Sequence, residues 1–452
     1  MQERCQARAW RDKRRKKRGS GVGEKETGLV RTIGRGSLTA LMVNSIIGAG
    51  IFGLPSKMAE RLGGYSPMAC LASGGAILLI AGCIAEVSSR YEETGGIYLY
   101  ARDAFGRFTG LAIAWLTWVT RIAAPAAAAN LFVIYAAQFF PALGTKWGRL
   151  GVLGLLIGQL ALVNYLGVKQ GNRVSNVFTL VKTGILALFV AAGIVALVSR
   201  PELRVAMAYP EVKPGGWMDS ILLMVYAYGG FEGALFVGGE TKNPKRDTPV
   251  ALLGALVVVA VIYTAVQYVV ILTLPGAAGS ARPLGDAARI FLGPAGAATM
   301  GLAAMVSTYG YLSANLLHAP RITYALGKQG DFPKFLAAVH EKFRTPYVSI
   351  WVYAAALFGF AALGTFEWNA VLSAVTRLGI YGAMAVAVVV LRRRDPAGAG
   401  FRLPWLYFFA GGSVAFTGVL LLGMTRAEFF VVAGTMAVAL VNWVVVRGRG
   451  GA

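Results

Sequence analysis

Hydrophobic residues in this chain run in long, continuous blocks separated by short polar connections. Twelve blocks fall at about 38–60, 66–90, 107–140, 148–168, 174–199, 217–240, 248–274, 295–319, 346–364, 367–391, 402–423 and 426–446. Each is about 20 residues or more, the length that carries a helix across a bilayer core roughly 30 Å thick. None shows the alternation of a barrel strand. The pattern predicts an all-α polytopic membrane protein with 12 transmembrane helices. The connections, of which the longest are about 17 to 26 residues, leave no room for a soluble domain.

Charge adds an orientation. With the N-terminus placed in the cytoplasm, the inner segments hold 31 lysines and arginines and the outer loops 10, while Arg121, Lys182 and Arg377 lie within the blocks. That asymmetry follows the positive-inside rule and puts both termini on the cytoplasmic side. The net charge of +23 is then mostly a topology signal. Seven of the eight residues from Arg11 to Arg18 are basic. Residues 1–35 read as a disordered arm drawn to anionic lipid, in preference to a nucleic-acid binder. No cleavable signal peptide is expected, because the first apolar block begins late and is long.

Composition narrows the chemistry. Hydrophobic residues make up 56% of the chain and charged residues 14%, which excludes a soluble globular protein. Three cysteines (Cys5, Cys70, Cys83) and two histidines (His318, His340) form no disulfide framework or metal-ligand spacing, so no metal site is expected. Phosphate-cradling loops, nucleophile elbows and enzyme-like carboxylate pairs do not occur in the sequence. An enzymatic or ATP-driven reading has no support.

Glycine placement gives the first pointer to a site. The first block contains Gly48-Ala49-Gly50-Ile51-Phe52-Gly53 and the sixth contains Gly229-Gly230-Phe231-Glu232-Gly233. Irregular backbone at membrane depth is tolerated where it lines a cavity or is buried in protein. The two blocks are five apart in order, so residues 36–200 and 201–395 would form two five-helix repeats of inverted topology. Paired interrupted helices of this kind point to a transporter site; helix packing through small residues is the competing explanation. Residues 396–452 would add two peripheral helices and a short cytoplasmic tail.

Four motifs together resemble the amino acid–polyamine–organocation (APC) superfamily. They are Ile47-Gly48-Ala49-Gly50-Ile51-Phe52; Glu86 followed by Thr94-Gly95-Gly96-Ile97-Tyr98; the run from Gly239 through Glu240 to Pro249; and Pro320-Arg321 with Gly330-Asp331-Phe332-Pro333. The resemblance covers about residues 36 to 445. It implies a five-plus-five inverted-repeat core with broken helices 1 and 6, two peripheral helices, and alternating-access transport of amino acids or related amines.

The resemblance also assigns the substrate backbone to the two interruptions. Ile47, Gly48, Ala49, Gly50 and Ile51 would offer free N–H groups to a carboxylate. Ala227, Gly229, Gly230 and Phe231 would offer carbonyls to an ammonium. Tyr226 stands where an aromatic lid covers the substrate, and its small ring weakens the case for a cationic substrate.

Three intramembrane cations remain. Lys182 lies about nine residues, or about 14 Å, from the inner end of its block, too deep to snorkel. It aligns with a lysine of proton-coupled relatives, next to the helix 1 break and at the place sodium takes in related carriers. Loss and gain of the coupled proton by Lys182 is one reading, since burial penalises a charged ammonium. A permanently charged lysine bonded to helix 1 carbonyls is the other. Ser307 and Thr308 could supply sodium oxygens, but a lysine beside them argues for the proton. Arg121 would meet a substrate carboxylate or pair with Glu232; facing substrate, it would repel cationic amino acids. Arg377 reads as a gating or ion-pair residue. Glu86 and Glu240 read as inner-gate contacts, and Asn315 as a cavity or packing residue.

The resulting expectation is a proton-coupled permease for neutral or acidic amino acids in the plasma (inner) membrane, monomeric or homodimeric. The alternatives are an amino acid or amine exchanger and, further off, a non-transporting sensor. The runs Gly95–Gly106 and Gly327–Arg344 are expected to form short amphipathic helices on the inner face.

Overall fold

The computed structural model describes residues 33–91, 96–167, 172–233, 235 and 241–449; the side chains of 172–181 and 447–449 lie outside that description. The described chain is all-helical, apart from turns, short three-ten segments and an isolated bridge between Ile33 and Thr241. The first half contributes α1 (Arg35–Ile46), α2 (Gly50–Leu62), α3 (Ser66–Ser88), α4 (Gly96–Phe105), α5 (Arg107–Ala136), α6 (Lys146–Tyr165) and α7 (Asn172–Ser199). The second contributes α8 (Gly216–Tyr228), α9 (Pro244–Thr273), α10 (Pro283–Lys328), α11 (Tyr347–Leu363), α12 (Phe366–Arg394), α13 (Leu406–Leu422) and α14 (Arg426–Arg449).

Each predicted block overlaps helix, the first α1 and α2 together, while the sixth runs on past the end of α8 at Tyr228. Eight helical stretches among the described residues are long and apolar enough to cross a membrane. The helix starts follow local chemistry. Pro67 sits in the first turn of α3, where its missing N–H costs nothing. Thr145 Oγ1 accepts from Gly148 N at 3.1 Å and caps α6, and Thr365 Oγ1 accepts from Trp368 N at 3.1 Å and caps α12.

Two boundaries differ from expectation. The eighth block was expected at 295–319, but α10 starts at Pro283 and turns at Gly293, whose φ of +72° suits glycine. Its first turns carry Asp286 and Arg289, so hydropathy alone does not register them. The run 327–344 was expected to be a helix. Instead α10 ends at Lys328 and only a three-ten turn, Lys334–Ala337, follows, because Gly330 and Pro333 stop the helix. The matching expectation for 95–106 agrees with α4, except that Gly95 lies outside the described residues.

Packing sorts centre from rim. α12 lies along α5 and α13, α9 along α3 and α1, and α10 along α5 and α7. The apolar window of α5 is 83% buried and that of α14 only 17%, which puts α5 at the centre and α14 at the rim.

Candidate functional site

The first interruption separates α1 from α2. Ile47 takes extended backbone (ψ 94°), and the helix resumes at Gly50 with Ala49 as its N-cap. Ile47, Gly48, Ala49, Gly50 and Ile51 are all buried. The break leaves α1 with unsatisfied terminal carbonyls and α2 with unsatisfied first-turn amides, a negative end and a positive end side by side. Lys182, on α7 and 5% exposed, meets the negative end: its Nζ donates to Asn44 O and Ile47 O, each at 2.7 Å.

The second interruption ends α8 at Tyr228. Gly229 is extended (ψ 161°), and Gly230 has φ +121°, a conformation L side chains rarely adopt. A Cβ on Gly230 would lie 2.2 Å from Ser45 O, so this break presses directly on α1. Beyond it, Glu232 folds back. One carboxylate oxygen accepts from Gly230 N at 2.7 Å; the other accepts from Arg377 Nε at 3.1 Å and from the Tyr381 hydroxyl. Arg377 is buried on α12 and also donates to Ser373 Oγ at 2.7 Å. Its guanidinium lies where a Cβ of Gly229 would be, 2.4 Å from Cζ. Phe231 stacks on Tyr381 with ring centroids 5.7 Å apart.

The two interruptions touch. Ideal-Cβ geometry puts Gly50 3.0 Å from Ala227 Cα, and the Tyr263 hydroxyl sits between Ala227 O (3.0 Å) and Ile46 O (3.3 Å). Beside them, a cavity of about 10 Å³ is lined by Gly50, Ile51, Met224, Ala227, Tyr263 and Gln267, at the lower limit for one water. Interlocked helix breaks of this kind, in an apolar all-helical chain, are a pointer to a transporter site.

Comparison with known proteins decides the family, because the model of the amino acid permease family matches residues 33–446. The chain belongs to that family. It is 29% identical to the methylthioribose transporter of Bacillus subtilis (strain 168), over 84% of this chain and 86% of the relative. It is 29% identical to the serine/threonine exchanger SteT of the same organism, over 72% and 75%. A third relative, its branched-chain amino acid permease BcaP, is 26% identical over 88% and 89%. This permease is accordingly an amino acid transporter and not an enzyme.

The remaining sequence candidates fall around this centre or at its ends. Arg121, half-buried on α5, places its Nη2 3.8 Å from where a Cβ of Gly233 would lie. Glu232, one of the two partners expected for Arg121, forms an ion pair with Arg377 at 3.1 Å. The carboxylate faces α12 because Tyr381 and Arg377, one turn apart, converge on it. Tyr226 is buried edge-on to Phe366, with centroids 6.3 Å apart. Asn315 Nδ2 donates to Tyr311 O of its own helix at 2.9 Å. Thr308 Oγ1 likewise donates to Ala304 O of its helix at 2.7 Å. Glu240 lies outside the described residues, as does most of the arm 1–35.

Ion pairs occupy both ends of the bundle. Glu86 is fully buried; it accepts from Arg392 Nε at 2.7 Å and from Leu403 N at 2.9 Å, and pairs with Arg90 at 3.3 Å. At the same end Asp331 receives both Nε and Nη2 of Arg107 (3.1 and 3.0 Å) and the Tyr98 hydroxyl. Burial, reinforced by that bond, pushes the Tyr98 hydroxyl up to about 12, so it stays a donor. At the opposite end Glu367 joins α12 to α2 through Arg61 and Lys57, the latter at 3.3 Å.

Sequence reasoning missed Tyr263, Tyr311, Tyr381 and Ser373. Tyr311 packs its ring 3.5 Å from where a Cβ of Gly48 would lie. A signal for three of them existed in helical spacing: Tyr311 precedes Asn315 by four residues, and Ser373 and Tyr381 flank Arg377 by four on either side. Tyr263 carried no such signal.

Proposed function

We propose that this permease is a secondary transporter that takes up neutral or acidic amino acids by alternating access, driven by an inward proton gradient. In this reading it crosses the plasma (inner) membrane twelve times with both termini cytoplasmic. Residues 36–200 and 201–395 form inverted repeats, and residues 1–35 lie against anionic lipid. The end carrying Glu86, Arg392 and Asp331 faces the cytoplasm, and the Glu367 end faces outward. The substrate carboxylate docks on the first amides of α2 and its ammonium on the carbonyls at the end of α8.

One observation carries the coupling: Lys182 Nζ donates to two carbonyls of the α1 terminus. A charged ammonium neutralises the negative helix end and holds the break, whereas a neutral amine loses most of that attraction. Proton gain and loss at one atom is thereby tied to the geometry of the substrate amides three residues away. The proton takes the place of a bound sodium ion.

The test is uptake of a labelled amino acid panel into liposomes holding the purified protein, with and without an inward proton gradient. Gradient-stimulated uptake that disappears in Lys182→Ala is the expected result. Full gradient-driven uptake by that variant would end the coupling role. Exchange is the second reading, favoured by the similarity to a serine/threonine exchanger. It predicts uptake only into liposomes preloaded with substrate.

A further inference from the structure

The loop between α12 and α13 displays charge and aromatic rings side by side. Residues 392–405 hold four arginines, Arg392, Arg393, Arg394 and Arg402, against one carboxylate, Asp395. Arg392 turns inward: it pairs with the buried Glu86 of α3 and donates to Leu403 O at 2.8 Å. The other three arginines are exposed. Arg394 donates to Asp103 O at 2.9 Å and Arg402 to Pro396 O, both backbone carbonyls. The Arg393 guanidinium lies 5.9 Å from the ring centroid of Tyr407.

Three exposed aromatics, Trp405, Tyr407 and Phe408, stand where the apolar helix α13 begins. Trp405 has φ +49°, a left-handed conformation that favours glycine. Of its surface 81% is free, so packing within the chain does not offset the strain. An indole at the end of an apolar helix is stabilised instead by the membrane interface. The loop that carries these groups is pinned to the end of α3. Glu86 accepts from Leu403 N at 2.9 Å, Ser89 Oγ accepts from Phe401 N at 3.1 Å, and Arg90 donates to Asp395 O at 2.7 Å. Its arginines are therefore held before a ligand arrives, and less ordering entropy is lost on binding.

We infer that this loop is a headgroup site for an anionic phospholipid, whose phosphate is received by the exposed arginines and whose acyl chains lie along α13 beside Trp405. Arginines at the C-terminal end of a helix answer its dipole, but the dipole does not call for a strained, exposed tryptophan next to them. An aromatic belt alone does not call for a guanidinium against one of its rings. The two together fit a ligand with an anionic head and an apolar tail. The inference needs the membrane location of the chain and is independent of its substrate and of its coupling.

The experiment places the full chain in phosphatidylcholine nanodiscs that hold a graded fraction of phosphatidylglycerol. One lipid or the other carries brominated chains, which quench a nearby indole. The Trp405 signal is the difference between each protein and its Trp405→Phe counterpart, so neither the other tryptophans nor the basic segment 1–35 enters it. In wild type, phosphatidylglycerol is expected to occupy the site about 25-fold in preference to phosphatidylcholine, about fivefold for each of two arginines acting on one headgroup. Arg393→Gln combined with Arg402→Gln is expected to bring that ratio to within about threefold of one. Arg393→Lys combined with Arg402→Lys is expected to keep most of it, because attraction to an anionic lipid follows charge.

Equal quenching of Trp405 by the two lipids in wild type overturns the inference, since it leaves an aromatic belt and no headgroup site. An absence of quenching by either lipid overturns it as well, and so does an unchanged preference in the double Gln variant. The substituted arginines are exposed, so thermal unfolding of the variants is expected to match wild type. Should the double Gln variant fail to fold, Arg393→Gln alone is expected to lower the preference about fivefold, and no change in it overturns the inference.

Discussion

At the α1–α2 break a cation meets carbonyls: Lys182 reaches from α7 and fills the end of α1 with two bonds of 2.7 Å. At the end of α8 an anion meets an amide: Glu232 bonds Gly230 N at 2.7 Å, and Arg377 holds it from α12. Lys182 is the charge that the carboxyl end of α1 attracts, whereas Glu232 is held by an amide past the end of α8 and by a guanidinium. The difference lies in redundancy. Among the described residues Lys182 is the side chain shown bonding those carbonyls, and in the proposed reading its proton decides whether the break is charged. Glu232 belongs to a network of Arg377, Tyr381 and Ser373 that fixes its charge. In that reading one break changes state and the other keeps it.

Removing the fixed charge is the harshest way to break this comparison. Glu232→Ala leaves Arg377 buried without its carboxylate, and deleting one partner of a buried pair costs about 3–5 kcal/mol. The purified variant should unfold at a markedly lower temperature than wild type. A loss below about 1 kcal/mol would mean that the pair does not hold the second break.

Backbone substitutions come next. Gly230→Ala forces an L residue into φ +121° and drives its Cβ to 2.2 Å from Ser45 O. The conformation alone costs about 1–3 kcal/mol, before the clash. Gly48→Ala meets only ordinary contact with Tyr311 at 3.5 Å and should cost less than about 1 kcal/mol. Thermal unfolding of the two variants checks the contrast, and equal losses would show that both breaks are equally rigid.

The glycines explain why the breaks were legible in the sequence while their partners were not. Gly48, Gly50, Gly229 and Gly230 cluster within apolar runs at matching places in the two halves, and Lys182 is too deep in its block to snorkel. That Arg377 partners Glu232 depends on which turn of α12 faces the break. That is a matter of interhelical register between residues 145 apart in the chain, on which hydropathy is silent. Gly293 was hidden for a related reason. The helix before it carries charges, so the apolar block starts late even though the helix does not.

Tyr263 offers the gentlest test, because its hydroxyl lies between the two breaks. It can donate only one proton, and Ala227 O at 3.0 Å is nearer than Ile46 O at 3.3 Å. Tyr263→Phe keeps the ring and removes that single bond, worth about 0.6 kcal/mol in a membrane protein, or about a threefold change in an equilibrium. Combining it with Lys182→Ala sharpens the assignment. If the proton goes to the α8 carbonyl, the two changes act on different breaks and their stability losses add. If it goes to Ile46 O, it supports the same α1 terminus that Lys182 fills, and the double variant loses less or more than the sum. The shorter distance favours additivity, which would mean that Tyr263 secures the fixed break and leaves the switching one to Lys182.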